Sequence, residues 1–182
     1  MNEKKLIGKS RYLSLILRHD PGSIGMDLDR EGWAELRELF ERTTAAGNPL
    51  DAAVLAGIME LPGKKRFELS ADGRRVRAMQ GHSAAGVDLA YEPVTPPESL
   101  YHGTADRFLD SIREKGLLPG KRHLVHLSPD TGTAMIVGRR HGRPVALTIA
   151  ALAMHATGRE FYLAGNGVWL TGEVPAEFIR FP

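Results

Sequence analysis

The chain holds 182 residues, 42% hydrophobic and 25% charged, with a formal net charge of +2; this suits one large domain or two small lobes around a buried core. Zero cysteines exclude disulfides, thiolate metal sites and cysteine nucleophiles, and they fit a reducing interior. No apolar run approaches the roughly 18 residues of a membrane helix and no secretory signal pattern opens the chain, so the expectation is a cytoplasmic protein that does not engage a membrane.

Charge is unevenly placed: residues 1–92 carry 14 basic and 14 acidic side chains, residues 93–182 only 10 and 8. In the first lobe, Ser10 is expected to cap a helix running to about Leu17, with Leu13, Ile16 and Leu17 inward, and Asp20-Pro21-Gly22 ends it. Trp33, Leu36, Leu39 and Phe40 share helical spacing, as do Leu50, Val54, Leu55 and Ile58. Lys64 to Ser83 then reads as one β-hairpin. Phe67/Leu69 and Val76/Ala78 alternate with charged residues, and Ala71-Asp72-Gly73 supplies the turn. An apolar back of this kind with an arginine-rich front, Arg66 among it, suits phosphate. A solvated edge ribbon whose cations block strand pairing reads the same way, and composition leaves both open. Three short helices followed by a two-stranded ribbon is a winged-helix-like order, most often a nucleic-acid reader, although fold does not fix function.

Glu92 to Pro97, rich in proline, reads as a stiff connector to a second lobe at 93–182. There Leu100-Tyr101-His102 is a strand end, and Phe108, Leu109 and Ile112 form one face of a helix stopped by Gly116. Leu124 to Leu127 is a strand leading into Ser128-Pro129-Asp130, read as an N-cap with proline at the first helical position. That helix is expected to reach Arg140, with Gly142 beyond it. Pro144 to Ile149 resembles a strand covered on both faces, and Asn166-Gly167 marks a hairpin between Phe161-Tyr162-Leu163 and Val168-Trp169-Leu170. Phe178 to Phe181 closes the chain as a last strand, and the fold class is α+β.

The candidate chemistry rests on cations. Arg18-His19 falls in a helix's last turn, where cations also serve simply to offset the helix dipole; Arg11, two turns earlier on the same face, favours a shared anion. Arg66 precedes inward Phe67 and so points to the opposite side of its strand. Arg140 follows Ile136 and Val137 by four and three residues, which puts it on the apolar stripe, where it needs an anion, a salt bridge or a set of carbonyls. His123 and His126 lie on opposite strand faces and no HExxH set exists, so no metal site is expected. Walker A, GxGxxG and GxSxG motifs and recognisably spaced carboxylate pairs are missing too. Such an inventory suits chemistry in which anionic charge is held and stabilised.

These residues together resemble a family. Leu17-Arg18-His19, Arg30-Glu31-Gly32-Trp33, Lys65-Arg66-Phe67, and Arg77 followed by Gln80-Gly81-His82-Ser83 occur in order. After them come Leu100-Tyr101-His102-Gly103-Thr104, Val125-His126-Leu127-Ser128, Val137-Gly138 with Arg140-His141-Gly142, and Asn166-Gly167-Val168-Trp169-Leu170. From about residue 5 to its end the chain is similar to the RNA 2′-phosphotransferases of the KptA type. The joint match is far more specific than any single motif.

The resemblance implies an N-terminal winged-helix RNA-binding lobe at 1–92 and a C-terminal ADP-ribosyltransferase-like, NAD-binding lobe at 93–182. It implies transfer of an internal RNA 2′-phosphate, of the tRNA splice-junction kind, to NAD⁺ through an ADP-ribosylated 2′-phosphate. The products would be RNA with a 2′-hydroxyl, ADP-ribose 1″,2″-cyclic phosphate and nicotinamide. The family's Arg-His-Arg-Arg set falls on Arg18, His19, Arg66 and Arg140. His102, Gly103, Thr104, Ser128 and Asn166 would contact NAD⁺, and a helix N-terminus after Ser128 would favour an anion. Arg77, His82 and Ser83 would line the RNA side, and Arg66 would reach a cleft between the lobes. Arginine forks match phosphate oxygens and stay charged, so no metal is required, and His19 would position the phosphate or carry a proton. The expected partners are RNA bearing an internal 2′-phosphate and NAD⁺, acting on a monomer. Two other readings remain: an ADP-ribosyltransferase that caps nucleic-acid terminal phosphates, and a non-catalytic winged-helix nucleic-acid-binding protein.

Overall fold

The computed structural model describes residues 2–63, 65–89 and 91–182, and the chain divides into two compact units, Met1–Ala90 and Tyr91–Pro182.

The first unit opens with α1 (Glu3–Arg18), capped by Asn2, whose side chain accepts from the Lys5 amide at 3.0 Å. Ser10 is therefore not the cap: it is buried mid-helix, 2% exposed. Exposed Lys4, Lys5 and Gly8 and half-buried Lys9 conceal the first two turns from a reading by apolar period, because only Leu6 there meets the core. Leu6 packs so close to α3 (Ala52–Met59) that a Cβ at Gly57 would lie 3.0 Å from it. Trp33 departs from the expected helix and begins β1 (Trp33–Glu35), with α2 (Leu36–Ala45) starting only at Leu36. The cause is a turn: Asp29 accepts from the Glu31 and Trp33 amides, Gly32 takes φ +77°, and the chain leaves it extended.

The hairpin is present as β2 (Phe67–Leu69) and β3 (Arg75–Ala78), with Phe67 opposite Ala78 and Leu69 opposite Val76. Gly73 adopts φ +67° in its turn, and Asp72 accepts from the Ser70 hydroxyl and the Arg74 amide. β1 pairs with the other side of β3, so the ribbon is a three-stranded sheet in the order β1-β3-β2. Leu13, Ile16, Leu17, Leu39, Phe67 and Val76 make its core.

In the second unit, the proline-rich segment is not a free connector. Pro93 pairs with Tyr162 and the Val94 amide donates to Phe161 at 2.8 Å, so it forms an edge of that unit. β4 (Leu100–Ala105) continues through His102 rather than ending there, and it pairs with β6 (Pro144–Ile149), which pairs in turn with β9 (Ile179–Arg180). A second sheet holds β5 (Val125–Leu127), β8 (Trp169–Thr171) and β7 (Phe161–Leu163), and the Asn166-Gly167 hairpin joins the last two. Tyr101 and Ser128 exchange backbone hydrogen bonds of 2.9 and 2.7 Å, linking the two sheets. α4 (Leu109–Lys115) ends at Gly116 as expected, and a short α6 (Ala151–Ala156) that the sequence reading had not identified follows β6.

α5 (Thr131–Gly138) lies backbone against backbone on β4. A Cβ at Gly103 would sit 1.8 Å from the Ala134 carbonyl oxygen, and one at Gly138 would sit 2.5 Å from that of Thr104. Leu100, Leu147, Ile149, Met154 and Phe161 fill the core below. Among the described residues no helix is long and apolar enough to cross a membrane.

Candidate functional site

The expected residues fall into two sets, one in each unit. In the first, α1 ends at Arg18 and His19 is its C-cap. The amides of Ser83 and Ala84 both donate to the Arg18 carbonyl, at 2.7 and 2.9 Å, satisfying one of the acceptors every helix leaves open at its end. The Ser83 hydroxyl lies 2.8 Å from His19 Nδ1. Gly81-His82-Ser83 is thus a strap over the end of α1, which brings Arg18, His19 and Ser83 together. His82 is only 4% exposed and tucks under the Asp29–Trp33 turn, where a Cβ on Gly32 would come within 3.0 Å of its Nε2.

Much of the ribbon's positive charge is matched internally. Arg77 pairs with Glu68 and lies over the Trp33 ring at 4.4 Å, and Arg75 pairs with Asp29 and Glu35 while covering the same ring at 5.4 Å. Both arginines are thereby held in the sheet. Arg66 differs: it is exposed, and its side chain makes no hydrogen bond or ion pair among the described residues.

In the second unit, His102 Nδ1 lies 3.0 Å from the His126 carbonyl. A carbonyl only accepts, so Nδ1 carries the proton and Nε2 of the neutral ring presents a lone pair. Burial lowers the His102 pKa from its ordinary value; the bond to His126 opposes that, and the charges of His141 and Arg122 add to the lowering. Arg122 donates to His126 Nδ1 at 3.3 Å. Desolvation of its guanidinium and the nearby Arg140 charge lower the Arg122 pKa. His102, Arg122, His126, Arg140 and His141 therefore form one cationic neighbourhood, and no ion pair ties Arg122 or Arg140 to a carboxylate among the described residues.

Several expectations need correction here. Arg140 is not on a buried stripe: α5 stops at Gly138, Arg139 is its C-cap, Arg140 is exposed beyond it, and Ile136 is itself 60% exposed. No buried charge demands a partner there. Ser128 does not cap α5. It is committed to the bridge with Tyr101, and Asp130 is the cap, accepting from the Thr133 amide at 2.7 Å and hydroxyl at 2.8 Å. The carboxylate of Asp130 thus takes up one of the open amides at that helix N-terminus. Gly103 has a packing reason in the close approach of α5, and Thr104 is 5% exposed beside it. Asn166 Oδ1 accepts from Val168 in the hairpin turn.

Sequence reasoning missed Arg122, which stands in no motif, and gave no role to His141, although Arg140-His141-Gly142 is one of the matching stretches; the fold brings both to His102. Among the described residues no cluster of three or more His, Cys, Asp or Glu could hold a metal ion. Chemically, both sets are suited to holding phosphate oxygens, since each combines guanidinium forks with imidazoles.

The sequence matches a family described as "RNA 2′-phosphotransferase, Tpt1 / KptA family" over residues 4–173. A Pseudomonas aeruginosa (strain UCBPP-PA14) protein named "Probable RNA 2′-phosphotransferase" is 56% identical over 180 residues, covering 99% of each chain. A relative of the same name from Pectobacterium carotovorum is 51% identical over 179 residues, covering 98% of this chain and 96% of its own. The "RNA 2′-phosphotransferase" of Escherichia coli (strain K12) is 50% identical over 180 residues, covering 99% of this chain and 98% of its own.

Proposed function

Because the chain belongs to the Tpt1 / KptA family of RNA 2′-phosphotransferases, we propose that it transfers an internal RNA 2′-phosphate to NAD⁺. The co-substrate supplies an electrophilic C1″, which the phosphate oxygen attacks as nicotinamide departs, and a 2″-hydroxyl, which then attacks phosphorus. RNA leaves with a protonated 2′-oxygen, and ADP-ribose 1″,2″-cyclic phosphate carries the phosphorus away. We read Met1–Ala90 as a winged-helix-like RNA-binding lobe and Tyr91–Pro182 as an ADP-ribosyltransferase-like lobe, acting in the cytoplasm.

The observation that carries this reading is the supply of uncommitted guanidinium groups. Arg66 and Arg140 are exposed and unpaired with carboxylates among the described residues, unlike Arg75 and Arg77. In the proposed reaction Arg18, Arg66 and Arg140 hold phosphate oxygens as negative charge develops. His19 orients the phosphate or delivers the proton to the departing 2′-oxygen. The second unit's residues fit a dinucleotide. His102, its ring anchored through Nδ1, would orient a ribose hydroxyl by Nε2, and Arg122 would meet pyrophosphate oxygens. Among the described residues no ion pair ties Arg122 or Arg140 to a carboxylate, which suits a nucleophile that is itself a phosphate.

The test replaces Arg66 and Arg140 singly with alanine and follows phosphate removal from a 2′-phosphorylated oligonucleotide with NAD⁺. Each loss is expected to cost on the order of a hundredfold or more in rate, with the circular dichroism spectrum unchanged. A rate within twofold of the parent for either variant would remove that arginine from the assignment.

A further inference from the structure

The bond between His19 Nδ1 and the Ser83 hydroxyl, at 2.8 Å, gives Ser83 a task different from lining the RNA side. We infer that Ser83 is a positioning residue for the phosphate transfer, acting through His19. This inference rests on the reading that His19 serves that transfer.

Three observations converge on it. His19 lies at the C-cap of α1, where the helix no longer dictates the backbone (φ −125°, ψ −45°) and a side chain needs some other restraint to hold one orientation. The restraint is built from two directions: the Ser83 amide is fixed on the Arg18 carbonyl at 2.7 Å, and the hydroxyl of the same residue meets the His19 ring. The strap itself is anchored by buried neighbours, with His82 4% and Ala84 5% exposed on either side of Ser83. Ser83 therefore has its backbone and both flanking side chains fixed, and its hydroxyl reaches His19.

A hydroxyl both donates and accepts, so it stays bonded to Nδ1 whether the ring is neutral or protonated. The ring can then change protonation state without changing orientation, and the chemistry at the phosphate is assigned to Nε2. An imidazole that moves a proton to a leaving oxygen needs this property, because misplacement of about 1 Å can cost up to about a hundredfold in rate.

The inference separates cleanly from direct contact of Ser83 with RNA. Ser83→Ala keeps the amide bonds to Arg18 and loses only the hydroxyl, so the thermal transition should stay within a degree or two of the parent. With the full chain, NAD⁺ and a 2′-phosphorylated oligonucleotide, kcat is expected to fall about ten- to a hundredfold, with KM for RNA within about twofold. Ser83→Thr, which keeps a hydroxyl, is expected to recover most of the rate. In a His19→Asn background the same Ser83→Ala change should cost less than about twofold, since the group it positions is gone. If Ser83→Ala raises KM for RNA with kcat preserved, or costs as much in the His19→Asn background as in the parent, Ser83 touches substrate on its own and the inference fails. If His19→Asn itself turns over at the parental rate, the reading beneath it fails instead.

Discussion

Replacing Gly103 with alanine strikes the contact on which the second unit's cationic neighbourhood depends. The added methyl would lie 1.8 Å from the Ala134 carbonyl oxygen, 2.6 Å from its carbon and 3.0 Å from the Gly138 amide nitrogen. All three are backbone atoms of α5, so no side chain can rotate away. Restoring ordinary contact requires the helix to recede by roughly 1.5–2 Å, against the second close approach of Gly138 to Thr104. Overpacking of this kind costs about 1–3 kcal/mol or more. For a chain of this size that lowers Tm by about 2–12 °C. Arg140 follows α5 by two residues and His102 precedes Gly103 in β4, so phosphate transfer should fall as well. The assay is urea and thermal unfolding of the full chain, with Gly8→Ala as control. Gly8 is helical, a Cβ there meets nothing within 4 Å, and alanine is expected to stabilise by about 0.5–1 kcal/mol. A Gly103→Ala protein with parental Tm and rate would show that α5 does not lie on β4 at this distance.

The pH dependence of stability has a definite sign at His102. Its folded pKa lies below the ordinary 6.5, so between 6.5 and the folded value the unfolded chain binds the extra proton and stability falls as pH drops. Denaturant unfolding at pH 7.5 and 5.5 should show this loss in the parent and a smaller one in His102→Asn; equal losses would exclude His102 as a source. On the ribbon, Glu68→Gln removes the carboxylate that holds Arg77, whose guanidinium then stays over Trp33 without its ion pair. The expected cost is about 1 kcal/mol or less for this partly exposed pair, read by urea unfolding, and a loss above about 3 kcal/mol would contradict the account of Arg77 as one of several partners in the sheet.

Elements announced by turn chemistry were legible in the sequence. Asp72-Gly73 and Asn166-Gly167 each mark a hairpin, because glycine takes the positive φ that the turn requires. Gly116 likewise marked the end of α4. What the apolar period could not give were elements whose limits are set by a few polar contacts. Asn2 and Asp130, rather than Ser10 and Ser128, cap α1 and α5, since a cap is decided by which oxygen reaches the third amide, and several nearby residues can offer one. Trp33 fits a helical stripe as well as it fits a strand, and the Asp29 turn decides between them. For the site, the chain motifs named Arg18, His19, Arg66, His102 and Arg140. The surroundings of these residues became visible only in three dimensions: the Ser83 strap, Arg122 beside Arg140, and the ion pairs that occupy Arg75 and Arg77.

The most direct measurement follows the phosphorus. The full chain is incubated with NAD⁺ and an oligonucleotide whose single internal 2′-phosphate carries an isotopic label, and the products are resolved by mass. The account predicts that the label leaves the RNA, which ends with a 2′-hydroxyl, and is recovered in ADP-ribose 1″,2″-cyclic phosphate, with one nicotinamide released per phosphate transferred and no turnover when NAD⁺ is omitted. Label released as inorganic phosphate, or retained on RNA as a stable ADP-ribosyl adduct, would contradict it.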